Sequence, residues 1–361
     1  MKALVLCTGG GIGDVLLATP CIRALRQRYT EVVALTAPSH LAVLAENSEL
    51  SGVLVDDADF FTVRRRLAAA SFDAAVVTWA TLRSALLPFA AGIPVRVGQS
   101  RRLYSRLFTH RVTVRSELGD RATHWTQILL DYTRAIGCDL ADATPTFVVP
   151  DDARVTARSL LRAKGITGPY GVFHPTRGIA AAARRRWPTP ALATLARALR
   201  AAFGVPIIVT GSREDGEIAQ AIAHSGGVVS VAGQTTIAEF GALAQDAEFV
   251  VAMDSGPMHL AAATGAATIG IFALRSDEPL RWSPLGPRVA IVRGTYPCPQ
   301  WHRKETCPNF ACISELPIDE VVQAVRVLRN ASSQGGLGEA EGFAEQALHG
   351  RGPRDDSGAH R

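Results

Sequence analysis

Short apolar runs alternate with helix-like segments along the first half of this chain. The runs predict four strands, at residues 2–7, 31–37, 52–56 and 73–79. Residues 14–28 predict a helix, because Leu17, Cys21 and Leu25 fall four apart on one helical face. Pro20 is expected to kink that helix or to mark where its regular part begins. The alternation of strand and helix predicts a parallel, doubly wound α/β sheet.

The same alternation restarts after a predicted linking helix at residues 151–164. Five strands are predicted there, at 170–176, 205–211, 227–233, 247–254 and 267–273. Five helices are predicted between and after them, at 189–202, 214–224, 236–245, 256–264 and 317–329. Two such halves in series predict a cleft between them, because the carboxyl ends of each set of strands point into it.

The length of 361 residues is too great for one ordinary core and predicts two domains, 1–165 and 166–330. A tail at 331–361, rich in Gly, Ser and charged residues, is expected to be disordered. No apolar run approaches the roughly 20 residues that a membrane span needs. The N-terminus leads directly into a strand, so we expect no signal peptide.

The formal net charge of +5 permits an anionic partner without identifying one. Nothing indicates a nucleic-acid partner. Between residues 96 and 121, acidic Glu117 and Asp120 are outnumbered by seven arginines, at 96, 101, 102, 106, 111, 115 and 121. This run is either a solvated face or a surface that attracts an anionic glycolipid or the membrane. Cys7, Cys21 and Cys138 lie in apolar segments and do not suggest a secreted disulfide framework, so a cytoplasmic protein is expected.

The first strand leads into the glycine-rich turn CTGGGIGDV, which ends with Asp14 and Val15. It is not a dinucleotide fingerprint, because G-x-G-x-x-G would need glycine at position 14, and no Gly-Lys-Ser/Thr follows as in a P-loop. Two roles remain open for Asp14. It could cap the following helix, or, ionised at the helix N-terminus, it could act as a general base that accepts a proton from a substrate hydroxyl.

A second stretch, MDSGPMHLAAATG, is a strand end, a turn and a helix start. Asp254 ends the strand, Ser255 and Gly256 open the helix, and His259 lies on its first turn. Free backbone N–H groups at such a helix start suit an anion such as a diphosphate. Asp254 could instead be a simple N-cap and His259 a packing histidine.

These stretches carry a family resemblance. IGDVLLATPCIRALR, MDSGPMHLAAATG, FALRSDEPLRWSPLG and CPQWHRKETCPNFACI together resemble, in the family's order, the ADP-heptose:lipopolysaccharide heptosyltransferases of glycosyltransferase family 9. The resemblance covers residues 2 to 330 and not the tail. It implies the GT-B fold, in which two Rossmann-like domains face a central cleft. The N-terminal domain would bind the acceptor and the C-terminal domain the nucleotide sugar, with the helix at 317–329 able to pack back on the N-terminal domain.

The resemblance also implies an activity. It is an inverting, metal-independent transfer of heptose from ADP-heptose to an acceptor hydroxyl, most typically on a saccharide or glycolipid of the lipopolysaccharide core, with no cofactor. The enzyme would be cytoplasmic and could contact the inner membrane surface. Asp14 matches the family's catalytic aspartate. The donor motif is matched by four residues, Asp254, Ser255, Gly256 and His259, which would hold the diphosphate and the heptose.

Further donor contacts follow from the resemblance. The pair Trp187-Pro188 matches the family's phosphate loop, and Arg185 stands where the family has lysine. Arg184 or Arg186 could serve instead, or the segment could be only a basic turn. The remaining donor assignments are Thr176, Asp215 (or Glu217) for the ribose hydroxyls, and Thr235 near the base. On the acceptor side we assign Gly11, Gly13, Arg101 and Arg102.

The chain departs from the family pattern at several positions. Thr8 stands where arginine is common. The family's cysteine cluster often has four members; here it has Cys298, Cys307 and Cys312, and Trp301 stands where the second would be. Three thiolates are fewer than a closed zinc site needs, so we interpret them as packing thiols and expect no metal. The D-x-D triplet at 57–59 lies in the wrong half for donor binding and is interpreted as a solvated turn.

Other functions remain open from the sequence. The same fold could use another nucleotide sugar, or a secondary-metabolite or protein acceptor. Two rival classes are an NAD-dependent oxidoreductase, against which the missing glycine at position 14 counts, and a non-catalytic nucleotide-sugar-binding module.

Overall fold

The fold is described by a computed structural model for residues 1–177, 183, 185–224, 226–274, 276–299 and 307–334. The described strands in the first half of the chain are β1 (Lys2–Cys7), β2 (Glu31–Thr36), β3 (Gly52–Val55), β4 (Ala74–Val77), β5 (Val95–Gln99) and β6 (His110–Val112). Those in the second half are β7 (Gly171–His174), β8 (Ile207–Val209), β9 (Val228–Ser230), β10 (Phe249–Met253), β11 (Thr268–Phe272) and β12 (Val289–Arg293).

The strands form two parallel sheets. The first has the order β3-β2-β1-β4-β5-β6 and the second has the order β12-β11-β10-β7-β8-β9. Neighbouring strands pair in parallel, as in the registers Lys2↔Glu31 of β1 with β2 and Phe249↔Gly171 of β10 with β7. The predicted fold of two doubly wound α/β halves is confirmed.

Helices cover both faces of the sheets, as parallel strands require. The helices of the first half are α1 (Ile12–Leu17), α2 (Thr19–Arg26), α3 (Leu41–Leu44), α4 (Phe60–Ala70), α5 (Leu82–Ala90), α6 (Trp125–Arg134) and α7 (Asp151–Ala163). Those of the second half are α8 (Thr189–Phe203), α9 (Gly216–Ile222), α10 (Ile237–Asp246), α11 (Gly256–Ala263), α12 (Pro279–Trp282), α13 (Ala311–Ser314) and α14 (Ile318–Gln334). Single 3₁₀ turns occur at Pro38–His40, Leu103–Leu107, Arg115–Leu118 and Arg213–Asp215. None of these described helices is long and apolar enough to cross a bilayer.

The helix predicted at 14–28 is divided in two. The helix is interrupted at Ala18. Pro20 occupies the second position of α2, where a backbone N–H has no partner within the helix, so proline costs no helical hydrogen bond. Pro20 therefore marks the start of the regular helix, which was one of the two outcomes predicted for it.

Alternate residues of each central strand belong to different cores. Val5 and Val250 lie in a buried cluster that includes residues of both halves, such as Leu17 and Met258. Leu4 belongs to a cluster on the other face of the first sheet, and Val251 to one on the other face of the second. The two halves are thus joined by one continuous apolar core.

The linking helix α7 packs on α10 of the second half. Arg158 pairs with Asp246 at 3.0 Å, and a guanidinium hydrogen bond joins Arg154 to Gln245. The predicted first domain, 1–165, includes this helix, which in the structure contributes Ala157 and Leu161 to the core shared by both halves.

The last helix, α14, also packs on the second half. Val321, Val325 and Leu328 lie in the core of the second sheet, and Arg329 pairs with Glu248 at 2.7 Å. The expectation that this helix packs back on the N-terminal domain is therefore corrected, because its apolar face covers β11, β12 and α8. The tail predicted to be disordered falls, from residue 335, outside the described residues.

Candidate functional site

A cleft of about 770 Å³ opens between the carboxyl ends of the two sheets. Both halves line it, as predicted for two facing Rossmann-like domains. Ten of the candidate residues lie along it, namely Gly11, Gly13, Asp14, Thr176, Asp215, Thr235, Asp254, Ser255, Gly256 and His259. The strands that end in these residues or in their loops are β1, β7, β8, β9 and β10.

Asp14 lies in the first turn of α1, three residues after the helix-preceding Gly11. Its Oδ2 accepts the backbone N–H of Gly11 at 2.8 Å. Burial raises the pKa of the Asp14 carboxyl above its ordinary value, against the opposing effects of the Gly11 hydrogen bond and of His40. The two roles left open by the sequence are compatible, because the carboxylate stabilises the helix start and also lines the cleft.

The glycine turn of the first half touches the helix start of the second. A methyl group added at Gly13 would lie 3.1 Å from Gly256 Cα and 3.6 Å from His259 Cδ2. One added at Gly256 would lie 2.6 Å from Ile12 Cγ1. Glycine at both positions therefore allows the catalytic candidate and the donor motif to approach each other closely.

The carboxylate of Asp254 pairs with Arg177, a residue that the sequence analysis missed. Arg177 Nη2 lies 3.2 Å from Asp254, and Arg177 Nη1 lies 2.6 Å from the buried Asp277. Burial alone would lower the pKa of Arg177, but these carboxylates raise it above its ordinary value. Arg177 lines the cleft. Among the described residues that line it, Arg177 is the one lysine or arginine.

Two buried histidines face the cleft as neutral imidazoles. Burial lowers the pKa of His259 to about 3 and that of His174 to about 4. His174 Nδ1 lies 3.0 Å from Thr210 Oγ1. His259 Nδ1 is buried and has no hydrogen-bond partner among the described residues. A buried polar atom without a hydrogen-bond partner that lines a cleft can form a hydrogen bond with a bound ligand.

Asp215 lies immediately before α9, is buried and lines the cleft. Its Oδ2 accepts hydrogen bonds from Ser212 N at 2.8 Å and from Ser212 Oγ at 2.7 Å. These bonds fix the orientation of the carboxyl group. Thr235 and the buried Thr176 line other parts of the same cleft.

A family model described as glycosyltransferase family 9 (heptosyltransferase) matches residues 60–311, well over half of the chain. The chain belongs to glycosyltransferase family 9. The Escherichia coli lipopolysaccharide heptosyltransferase 3 is 24% identical to it over 347 residues, which cover 90% of this chain and 98% of that protein.

Solved structures of the family share the fold of this member. A glycosyltransferase family 9 protein of Veillonella parvula superposes with a TM-score of 0.76 at 17% identity, over 91% of this chain and 97% of that one. The E. coli ADP-heptose lps heptosyltransferase II gives 0.75 at 20% identity, over 92% and 100%. The GT-B fold implied by the resemblance is confirmed.

Three candidates of this family 9 member lie away from the cleft. Arg185 is exposed and does not line it, and Arg186 donates to the carbonyl of Cys307 at 2.8 Å. The alternative Arg184 falls outside the described residues. Arg101 and Arg102 are exposed between β5 and β6, where Arg101 lies 3.6 Å from Glu117.

Asp14 also borders a second, narrow crevice. Its remaining lining residues are Cys7, Gly9, Val15, Thr78, Trp79, Trp125 and Leu129. Asp14 is thus the residue that borders both the donor-side cleft and a crevice formed by the first half alone.

The D-x-D triplet has a structural role. Asp59 caps α4 by accepting the N–H groups of Phe61 and Thr62. Within the described ranges, no three His, Cys, Asp or Glu side chains are grouped so that they could hold a metal ion. Cys307 and Cys312 are buried, and Cys298 is half-buried.

Proposed function

We propose that this chain is an inverting heptosyltransferase that moves heptose from ADP-heptose to a hydroxyl of a saccharide of the lipopolysaccharide core, without a metal. The observation that carries the proposal is that Asp14 and the residues of the donor motif line one cleft from opposite halves. Membership of family 9 supports the class of reaction.

The second half is proposed to hold ADP-heptose. The diphosphate would lie at the N-terminus of α11, where Ser255 and Gly256 line the cleft and the positive end of the helix dipole favours an anion. The guanidinium of Arg177 would pair with the diphosphate, the role that the sequence analysis gave to Arg185. Because Asp254 and Asp277 hold its guanidinium in place, little conformational entropy is lost when it pairs with a phosphate.

The rest of the donor would extend along the same wall. Asp215, whose carboxyl group is fixed by Ser212, would accept hydrogen bonds from the ribose hydroxyls, and Thr235 would contact the base. His259 Nδ1 supplies an open polar atom beside the diphosphate and heptose. As a neutral imidazole it can donate or accept one hydrogen bond there without adding charge.

The first half is proposed to deliver the acceptor hydroxyl. Asp14 takes the hydroxyl proton while the oxygen attacks the anomeric carbon of the heptose, and ADP leaves from the opposite face, so the configuration inverts. Such a base contributes about 10² to 10⁴ in rate. The raised pKa of Asp14 brings its basicity closer to the working pH than that of an exposed carboxylate. We place this reaction in the cytoplasm, at the inner face of the membrane when the acceptor is a glycolipid.

The test is transfer by the purified full chain. The protein is incubated with ADP-heptose, or with other nucleotide sugars, and a heptose-free lipopolysaccharide core acceptor, and mass spectrometry follows the mass gained by the acceptor. Asp14→Asn should keep ADP binding by calorimetry and lose most of the transfer, whereas Asp57→Asn, an exposed carboxylate far from the cleft, should keep both. Equal turnover of Asp14→Asn and wild type would refute the assignment of the base. Consumption of a different sugar nucleotide would refute the donor.

A further inference from the structure

One edge of the first sheet exposes an unusual number of large apolar side chains. Leu103 is 80% exposed and Leu118 is 74% exposed. The apolar side chains exposed along this edge are Leu41, Phe61, Trp79, Leu82, Leu103 and Leu118. We call them, with the loops that carry them, the carboxyl-edge surface.

These side chains share an edge because of the topology. Each lies after the end of a strand, in the order β2, β3, β4 (twice), β5 and β6 along the chain. Since the six strands are parallel, all of these loops emerge at the same edge. The loop after β1, which carries Asp14, emerges there as well. The exposed apolar residues therefore lie around the acceptor side of the proposed active site.

Hydrogen bonds join neighbouring loops into one surface. Arg83 after β4 pairs with Asp56 after β3, with its Nε 3.1 Å from the carboxylate. Tyr104 after β5 donates its hydroxyl to the carbonyl of Ala80 at 2.7 Å. The ion pair between Arg101 and Glu117 connects the loop after β5 to the loop after β6. The loops are held together, so the apolar side chains are presented jointly.

The charge of this surface is positive. Arg102, Arg106 and Arg121 are exposed and form no ion pair with any other described residue. The nearby acidic groups are already engaged, since Glu117 faces Arg101, and Asp120 accepts the N–H groups of Ala122 and Thr123. Free guanidinium groups beside exposed leucines match an anionic lipid surface, where the charge attracts headgroups and the leucines enter the acyl boundary.

We propose that the carboxyl-edge surface docks on an anionic lipid bilayer, with Leu103 and Leu118 inserted and Arg102, Arg106 and Arg121 on the headgroups. Asp14 follows β1 and so lies at this same edge of the sheet, and docking would bring it close to the bilayer surface. The inference rests on the surface alone. It extends the proposed function by stating how an acceptor anchored in a membrane would reach the base.

The test is flotation of the full chain with vesicles, without donor or acceptor. Wild type should float with vesicles of phosphatidylcholine and phosphatidylglycerol, stay behind with phosphatidylcholine alone, and be released by high salt. Each arginine near the surface is worth about fivefold in binding. The variant Arg106→Ala/Arg121→Ala should therefore bind anionic vesicles about 25-fold more weakly.

Leucine variants test insertion. Leu103→Ser/Leu118→Ser should weaken vesicle binding about tenfold or more, because two apolar side chains lose their burial. Matched controls on the second half and linking helix are Val155→Ser, which is 66% exposed, and Arg197→Ala, which is exposed. Both controls should bind as wild type does, and all variants should melt at the wild-type temperature.

Three results would overturn the inference: equal binding to neutral and anionic vesicles, an equal loss in the control variants, or wild-type binding in the leucine variant. A fourth outcome is that wild type is a dimer, the leucine variant is a monomer and neither binds vesicles. This surface would then be a contact between two copies of the chain, and the inference would be wrong. Transfer to a lipid-free acceptor is unaffected by any of these outcomes, so a failure here is distinct from a failure of the proposed function.

Discussion

Gly256→Ala is the most direct test of the contact between the two halves. The new methyl group would lie 2.6 Å from Ile12 Cγ1 and 3.0 Å from Gly13 N, both closer than van der Waals contact allows. Gly13 N is backbone and cannot rotate away, so relief requires the two halves to separate or the glycine turn to shift. Overpacking of this kind costs about 1 to 3 kcal/mol. At about 3 °C per kcal/mol for a domain of this size, a 2 kcal/mol cost lowers Tm by about 6 °C.

The same strain should appear in catalysis. A displacement of about 1 Å between Asp14 and the bound donor can lower kcat about 10²-fold. ADP affinity should fall as well, because Gly256 begins α11, where the diphosphate is proposed to bind. Differential scanning calorimetry, ADP titration and steady-state transfer kinetics measure the three quantities on one preparation.

Gly216→Ala is the matched control. Gly216 also begins a helix, α9, and a methyl group added there meets no atom within 4 Å. Both substitutions change helix propensity by a similar amount, so the difference between them isolates the contact across the cleft. If Gly256→Ala melts and turns over as Gly216→Ala does, the two halves do not meet at this point and the reasoning fails.

Three further predictions concern charge. Arg177→Met should abolish ADP binding and lower stability by about 3 kcal/mol or more, since it removes a buried cation that pairs with two carboxylates; calorimetry and urea unfolding measure both, and normal ADP affinity would contradict the phosphate role. His174 and His259 titrate far lower in the fold than the ordinary 6.5, so the unfolded chain binds protons that the folded chain does not. Stability should therefore be complete above about pH 6.5 and fall as the pH drops toward about 4, by about 1.4 kcal/mol per pH unit for each histidine. His259→Asn should reduce that slope by one histidine's share in urea titrations between about pH 7 and pH 5, and an unchanged slope would contradict it. The acid limb of kcat/KM should lie above the ordinary carboxyl value of 3.8, because burial raises the pKa of Asp14; a pH profile with its limb at or below that value would argue against Asp14 as the base.

The sequence predicted that the candidate residues meet in one cleft, but it did not predict every strand or every residue that lines the cleft. Asp14, Thr176 and Asp254 are far apart in the chain, but each lies at or after the end of a predicted strand. Parallel strands bring such positions to one edge, so the cleft could be anticipated from periodicity. The strands β5, β6 and β12 were missed. β5 and β6 carry arginine or histidine and lie toward the edge of the sheet, where the apolar pattern weakens.

Arg177 could not be found from local spacing. The family pattern directs attention to the cation before Trp187-Pro188, whereas the cleft-facing cation directly follows Thr176. Its partner Asp277 is 100 residues away in the chain. An ion pair of that separation becomes visible only once the fold brings its members together.

The continuous apolar core has a practical consequence for engineering. Acceptor and donor recognition are proposed to belong to different halves, which invites exchange of whole halves between relatives to make new sugar linkages. Here residues such as Leu17 and Met258 belong to one buried cluster. A hybrid joined at the linker would therefore place two unmatched apolar faces against each other, and its junction should be chosen so that the helices α1, α2, α10 and α11 are inherited from the same parent.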